Sequence, residues 1–408
     1  MDHLATLEAR RGWSRPLTFT NWVTDDPLSH PGEPLATEDL VSIDATHVTA
    51  TRAWPGGVFA SYHVYPYYPD FLSLGEESYA GYLQALRAHH GTQPVMITEF
   101  GVPSSLGVAH AAPLGRDQGA HSERLAGAID AAMLREIRSA GMAGGVLFEW
   151  IDEWFKHTWN TQPLELPFAR RALWRNDLTN EEHFGVLSAD PVPGRPHALG
   201  HGIRAQTDPE ALTLTIPARA SALTVGLDAR PGAGGGLPGS PGVASQADVA
   251  IQVSGAKATV LQAASWEPVG LLYGARDGVA PAAPWQPARQ LISHPLTRPD
   301  TGEAFPAQTR EVPALPVRRG HGLLTIRLPW ALLGFSDPSS LSVYVPRADG
   351  SVGTARVAAI GVTVAAPPGT PVTAKPLRLH GWNRVTRWQE RRKRSWSTLA
   401  RAFRQATR

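Results

Sequence analysis

The chain has 408 residues, room for two or three domains at roughly 150 residues each, and its 42% hydrophobic against 18% charged residues exclude disorder along the whole length. Lys and Arg number 38 against 36 Asp and Glu, a net charge of +2 too balanced for a protein that lives on nucleic acid. The absence of cysteine removes disulfides, thiolate metal sites, iron–sulfur ligation and thiol nucleophiles together and leaves the redox compartment open.

The segment Met1 to Arg11 lacks the apolar run of a secretory signal, and no stretch reaches the roughly 18 apolar residues of a membrane span. No membrane insertion is expected and no localisation is assigned. From residue 1 to about 160, short apolar runs alternate with helix-period segments, the pattern of parallel βα units. An amphipathic segment carrying Leu4 and Leu7 precedes a first strand over Pro16 to Trp22 that includes Asn21. A second strand spans Val58 to Tyr65; Tyr79, Tyr82, Leu83 and Leu86 then mark one helical face that stops at Gly91. Pro94 to Gly101 is the third strand. A helix from about Ser122 carries Leu125, Ile129, Ala132, Met133 and Ile137 on one face and ends at Gly141, before a fourth strand over Gly145 to Trp150.

Residues 160 to 205 form an irregular polar and aromatic stretch, too long for an ordinary connection, and read as functional or as an excursion over a barrel mouth. From about 206 the period changes to two. Leu212–Ile216, Leu223–Leu227, Val249–Val253, Leu324–Leu328 and Leu341–Val345 alternate between Gly/Pro turns, a β-sandwich pattern. Gly234-x-Gly236-x-x-Gly239, in the loop Pro231 to Gly242, matches a dinucleotide fingerprint in letters only. It holds Pro238 and no helix follows, so it reads as a hairpin loop. From Trp382 a helix is expected, with Trp388, Trp396, Leu399 and Phe403 in one quadrant and Arg387, Lys393, Arg394, Arg401 and Arg404 outside it. That is a docking helix with a solvated basic back.

Polar residues that end apolar parallel strands converge on one mouth, which is where chemistry is sought. Glu99 ends the third strand, and a carboxylate there can act as nucleophile or as acid/base. His63 and Tyr65 share one side of the preceding strand and can hold that carboxylate ionised and oriented. The fourth strand ends Glu149-Trp150, which places a tryptophan where it can floor a sugar site. The thirteen tryptophans, Trp22 among them, suit sugar rings and cores alike. No His-Glu-x-x-His helix, phosphate loop or Gly-x-Ser-x-Gly elbow is present, so no metal and no cofactor is expected.

Tyr62-His63-Val64-Tyr65, Ile97-Thr98-Glu99-Phe100-Gly101 and Phe148-Glu149-Trp150 together resemble the last three strands of the retaining glycoside hydrolases of the large (β/α)8 clan that includes cellulases, mannanases and β-galactosidases. The resemblance implies that Glu99 is the nucleophile of the seventh strand, that His63 and Tyr65 are the sixth-strand pair that orients it, and that Trp150 is the eighth-strand platform. Glu149, Trp22 and Asn21 would join the substrate contacts. Gly115 to Gly119, Trp154 to Asn160 and Trp330 to Pro338 also resemble a bacterial group in which a clan barrel is followed by a sandwich like those of carbohydrate-binding modules.

The fold class expected is therefore α/β plus all-β: a partial (β/α)8 barrel of the last four strands over 1–205, a β-sandwich over 206–375 and a basic amphipathic C-terminal helix over 376–408. The function expected is glycoside hydrolase-like action on a β-linked saccharide by a retaining mechanism, with a non-catalytic saccharide-binding or scaffold protein as the alternative. The clan places its acid/base on a fourth strand that has no counterpart here, and Glu149, Asp152 and Glu153 are poor substitutes. The chain is thus expected to be a piece lacking the acid/base half and inactive alone, with an N-terminal half-barrel polypeptide as a possible partner beside an oligo- or polysaccharide.

Overall fold

The computed structural model describes residues 1–406 except 36, 37, 40–42, 75–78, 219, 231, 233, 241, 242, 244, 274–283, 298–300, 348–350, 367, 368, 385 and 386. Pro231 and Gly242, the ends of the glycine-rich loop, lie outside the described residues.

Four parallel strands stand in chain order: β1 (Thr20–Trp22), β2 (Ala60–His63), β3 (Val95–Phe100) and β4 (Gly144–Leu147). The apolar runs read from the sequence become these strands because their alternate residues bury on a helical layer. Tyr62, Val95, Ile97 and Phe100 pack with the short helix α2 (Asp70–Leu74) and the helices α3 (Tyr79–His90) and α4 (Glu123–Ser139) in one core. Helix α3 ends where Gly91 takes a φ of 54°, a conformation that glycine adopts without penalty. Helix α4 starts where Ser122 Oγ accepts the amide of Leu125 at 3.3 Å. Its buried face is Ala126, Asp130, Met133, Leu134 and Ile137, and Leu125, expected inside, is 48% exposed. The N-terminal helix α1 (Asp2–Arg10) buries Ala5 and leaves Leu4 and Leu7 exposed.

The second half is antiparallel, and in place of the two facing sheets of a sandwich most of its strands join one sheet, with Phe335–Asp337, Ser342–Pro346 and Val352–Arg356 in a separate three-stranded sheet. A continuous sheet runs from His197–Gly200 through Ile203–Thr207, Ala211–Pro217, Leu323–Pro329, Leu315–Gly320, Lys257–Ala263, Val249–Ser254 and Ala222–Asp228 to Ala359–Ala365. Its narrowest joint is the two-residue pairing of Lys257 and Ala258 with Pro316 and Leu315. The two ends approach each other, for Lys375 donates its amide to the Leu199 carbonyl at 2.8 Å. The result is a nearly closed, barrel-like sheet around one interior formed by Leu214, Val225, Ile251, Ile326 and Ile360 among others. Trp330 belongs to that interior, its indole N–H bonded to the Asp208 carbonyl. The glycine-rich loop is a hairpin in which Gly235 pairs with Ala247.

The C-terminal segment departs from the single helix expected. Trp388–Arg392 is a strand paired with β5 (Leu187–Pro191), and the helix is confined to Trp396–Ala406, which packs on α4. Trp388 therefore lies outside the docking face, which is made by Trp396, Leu399 and Phe403. The basic side is not simply solvated. Lys393 is 3% exposed and its Nζ binds Asp152 at 2.6 Å, Ser104 at 3.0 Å and the His183 carbonyl at 2.8 Å. Arg391 pairs with Glu123 and Asp190. Among the described residues no helix is long and apolar enough to cross a membrane.

Candidate active site

The parallel strands bring their C-terminal ends to one mouth, and the pairing there explains which side chains meet. Ala60, Ser61 and Tyr62 pair in step with Val95, Met96 and Ile97, and then His63 pairs with Glu99. Thr98 is the extra residue of a bulge, which turns Glu99 onto the His63 face. Hydroxyls knit that face across three strands, with Ser61 Oγ 3.0 Å from Thr20 Oγ1 and 2.7 Å from Thr98 Oγ1. The opposite face carries Tyr62, bonded to His90 at 2.9 Å, and Asn21, whose amide donates to the Ile43 carbonyl at 2.7 Å. Asn21 is buried there and does not reach the mouth. Adjacent strand residues point to opposite faces, which separates Asn21 from Trp22 and from the substrate contacts expected of it.

Two side chains from the β2 run meet the Glu99 carboxylate. Tyr65 donates its hydroxyl to Glu99 Oε2 at 2.8 Å, and His63 Nδ1 lies 3.2 Å from the same oxygen without hydrogen-bond alignment. Such contacts commonly tighten only when substrate is bound. Burial depresses the His63 pKa, opposed by the Glu99 charge. Burial raises the Tyr65 pKa well above the ordinary phenol value, reinforced by Tyr67 and Glu99, so Tyr65 keeps its proton and remains a donor. Trp22 covers both side chains, its ring 5.1 Å from His63 and 6.0 Å from Tyr65.

Above Glu99 opens a cleft of about 500 Å³ whose walls include Trp22, Tyr68, Phe148 and Trp159. Trp150 is not among them. It is 64% exposed and stands against Trp396, at 5.9 Å between rings, in a separate groove with Leu147, Val186 and Phe403. The regular strand stops at Leu147, so Trp150 does not stand at the mouth as a strand-end residue, and Phe148 is the aromatic that turns in. Glu149 opens toward the Trp150 groove and lies 3.7 Å from Lys156 Nζ. Burial, partly offset by Lys156, raises its pKa to about 8.

The irregular stretch that follows supplies a residue the strand-end rule does not reach. Glu181 lines the Glu99 cleft, accepts from Gln118 Nε2 at 2.5 Å on Oε1, and has Oε2 4.0 Å from Lys156 Nζ. Burial raises its pKa to about 7, against the pull of Lys156 and with the push of Glu99 and Glu153. No local periodicity marks it; a run Glu181-Glu182-His183 inside an unusually long loop was the only sign. Asp152, by contrast, is fully buried between Arg175 and Lys393. Among the described residues Glu33, Glu38 and Asp70 are the one group whose ligand oxygens lie within 4.8 Å of one another. Two of the Glu33 contacts are already backbone amides, those of Leu35 and Phe71.

No family model matches this chain, and no curated protein matches it. Solved structures with some likeness include a family 17 β-1,3-glucanosyltransferase from Rhizomucor miehei, with 16% identity, TM-score 0.24, and 46% of this chain and 50% of that one covered. A β-glucuronidase from Bacteroides uniformis shares 10% identity at a TM-score of 0.18, over 62% of this chain and 26% of that one. A tri-modular family 5 endo-β-1,4-glucanase from Bacillus licheniformis shares 10% identity at 0.16, over 79% and 62%. The chain thus spans about half the length of the first of these and about a quarter of the second. These are weak glycoside hydrolase neighbours, and scores this low identify neither a fold nor an activity.

Proposed function

We propose that this chain is glycoside hydrolase-like and acts on a β-linked saccharide through Glu99. The observation that carries the reading is the Glu99 carboxylate at the floor of an aromatic-walled cleft, fixed by the Tyr65 hydroxyl at 2.8 Å and flanked by His63 at 3.2 Å. A carboxylate so held has one oxygen restrained and the other available to attack an anomeric carbon, and aromatic walls suit the apolar faces of sugar rings. In this reading the Glu99–C1 bond forms as the bond from C1 to the leaving oxygen breaks, giving a glycosyl ester that water later opens. Trp22 and Phe148 stack on the sugar in place of Trp150.

The test is covalent capture. A panel of 2-fluoro β-glycosides with activated leaving groups should add one sugar mass to the peptide containing Glu99, and Glu99→Gln should abolish labelling. Labelling confined to Glu149, or labelling of Glu99→Gln equal to that of the parent, would refute the assignment.

A further inference from the structure

We propose that Glu181 is the proton donor and acceptor that works with Glu99, an assignment that rests on the reading of Glu99 just given. Position comes first. Glu181 and Glu99 line the same cleft with side chains 29% and 25% exposed, so both are open to a ligand in it. The other nearby carboxylates are committed elsewhere: Asp152 is enclosed by Arg175 and Lys393, Glu153 lies 3.0 Å from Lys156, and Glu149 faces the separate groove.

Hydrogen bonding then distinguishes the two oxygens of Glu181. Gln118 occupies Oε1, while Lys156 at 4.0 Å is too far to donate to Oε2, which is left to carry the proton. Gln118 is itself fixed by a hairpin, its amide bonded to the His110 carbonyl at 2.8 Å and its carbonyl accepting from Ala109 at 3.0 Å. The backbone that presents Glu181 is equally restrained. Glu153 donates its amide to the Glu182 carbonyl, and Glu182, fully buried, pairs with Arg171. A catalytic group on a segment tied down in this way keeps its aim.

Charge supports the assignment. One cation, Lys156, serves Glu149, Glu153 and Glu181, so the three carboxyls cannot all ionise cheaply. The groups that face Glu181 are Lys156 and Glu153 from the segment after β4, Glu99 from β3, and Tyr65 and Tyr67 after β2. His110 and His157 in the same walls are engaged by Trp159 and Glu165. Glu99 thus has a hydroxyl donor on one oxygen, while Glu181 shares Lys156 with two other carboxyls and burial raises its pKa to about 7, as an acid partner requires.

The step balances. Protonated Glu181 gives its proton to the glycosidic oxygen as the C1–O bond breaks and the Glu99–C1 ester forms. In the second half, Glu181 carboxylate takes a proton from the water that attacks C1, and the ester bond breaks to return Glu99 as carboxylate.

Leaving groups separate the two residues. Phenyl and 2,4-dinitrophenyl β-glycosides of glucose, galactose, mannose and xylose are offered to the full chain, to Glu181→Gln, to Glu149→Gln and to Glu99→Gln, with thermal melts of each. Expected is a loss of roughly 100- to 10,000-fold on the phenyl substrate in Glu181→Gln. The same variant should keep a stoichiometric burst of dinitrophenol, because that group departs without a proton, and sugar should accumulate on the Glu99 peptide. Azide should restore turnover as a β-glycosyl azide, and the fall in rate above about pH 7 expected of the parent should vanish, since the acid is lost as pH rises through its pKa. Phenyl glycoside turnover within threefold of the parent in Glu181→Gln, or this whole pattern appearing in Glu149→Gln instead, overturns the role of Glu181 while leaving Glu99 standing. No turnover of any substrate by the folded parent, or full turnover by Glu99→Gln, overturns the reading of Glu99 and this proposal with it.

Discussion

Replacement of Lys393 by methionine tests whether the C-terminal segment holds the loop that carries Glu181. Lys393 uses all three ammonium hydrogens, on Asp152 at 2.6 Å, Ser104 at 3.0 Å and the His183 carbonyl at 2.8 Å, while burial pulls its pKa below the ordinary lysine value. Methionine preserves most of the volume but leaves Asp152 with one cation, Arg175 at 2.9 Å, and takes a donor from Ser104 Oγ, while the His183 carbonyl keeps the Ser104 amide and hydroxyl. Removing one member of a buried pair costs about 3–5 kcal/mol, and the surviving Arg175 places this case near 3 kcal/mol. Unfolding entropy of about 2.1 cal/mol/K per residue converts that to roughly 3–4 °C if the whole chain melts as one unit. If only about 200 residues of the parallel-sheet half melt together, the shift is roughly 7 °C. Denaturant titration of the parent, Lys393→Met, Asp152→Asn and the double variant supplies the assay, with the double variant less damaged than the sum of the two by at least about 1 kcal/mol. A loss below about 1 kcal/mol in Lys393→Met, or strict additivity, would refute the buried-pair reasoning.

Three further outcomes follow from the same contacts. Burial would raise the Glu165 pKa, but Arg171 together with hydrogen bonds from His157, Thr179 and Asn176 brings it down to about 2. The stability this contributes is complete above about pH 4.5 and is lost as pH falls toward 2, because the unfolded chain binds the proton first. Glu165→Gln should flatten the acid limb of a stability-versus-pH curve by about one proton, and an unchanged slope between pH 4.5 and 2 would count against it. Leu399, 4% exposed under the C-terminal helix, should cost about 2–4 kcal/mol as Leu399→Ala, read by urea midpoint; a change under 1 kcal/mol would mean that the helix is not docked. Tyr65→Phe removes a hydroxyl donor to a carboxylate, worth about 1.5–3 kcal/mol, so kcat/KM on a dinitrophenyl β-glycoside should fall roughly 10- to 150-fold with the melting point little moved. Undiminished kcat/KM would show that the Tyr65 bond does not serve the nucleophile.

What the sequence determined by itself is what short-range periodicity reports. Alternation along the run Val58 to Tyr65 puts His63 and Tyr65 on one side, and the apolar run before Glu99 makes it a strand end, so these three residues are legible from neighbours a few residues apart. Helix α3 is equally legible, from Tyr79, Tyr82, Leu83 and Leu86 and its stop at Gly91. Periodicity fails where the regular element ends. Trp150 lies beyond Leu147, the last residue of β4, and it packs against Trp396, away from the mouth expected of a strand-end residue. Lys393 is buried where a solvated basic side is expected, because the strand Trp388–Arg392 carries it to Asp152, Ser104 and the His183 carbonyl. Glu181 has no periodic signature at all. Its place in the cleft is decided by Gln118, more than 60 residues earlier, and by the buried Arg171–Glu182 pair beside it, contacts that exist only once the long loop has folded back over the strand ends. Local rules record which face a residue occupies within an element, whereas a loop is placed by the distant donors and charges that satisfy its polar groups, and only the tertiary structure brings those together.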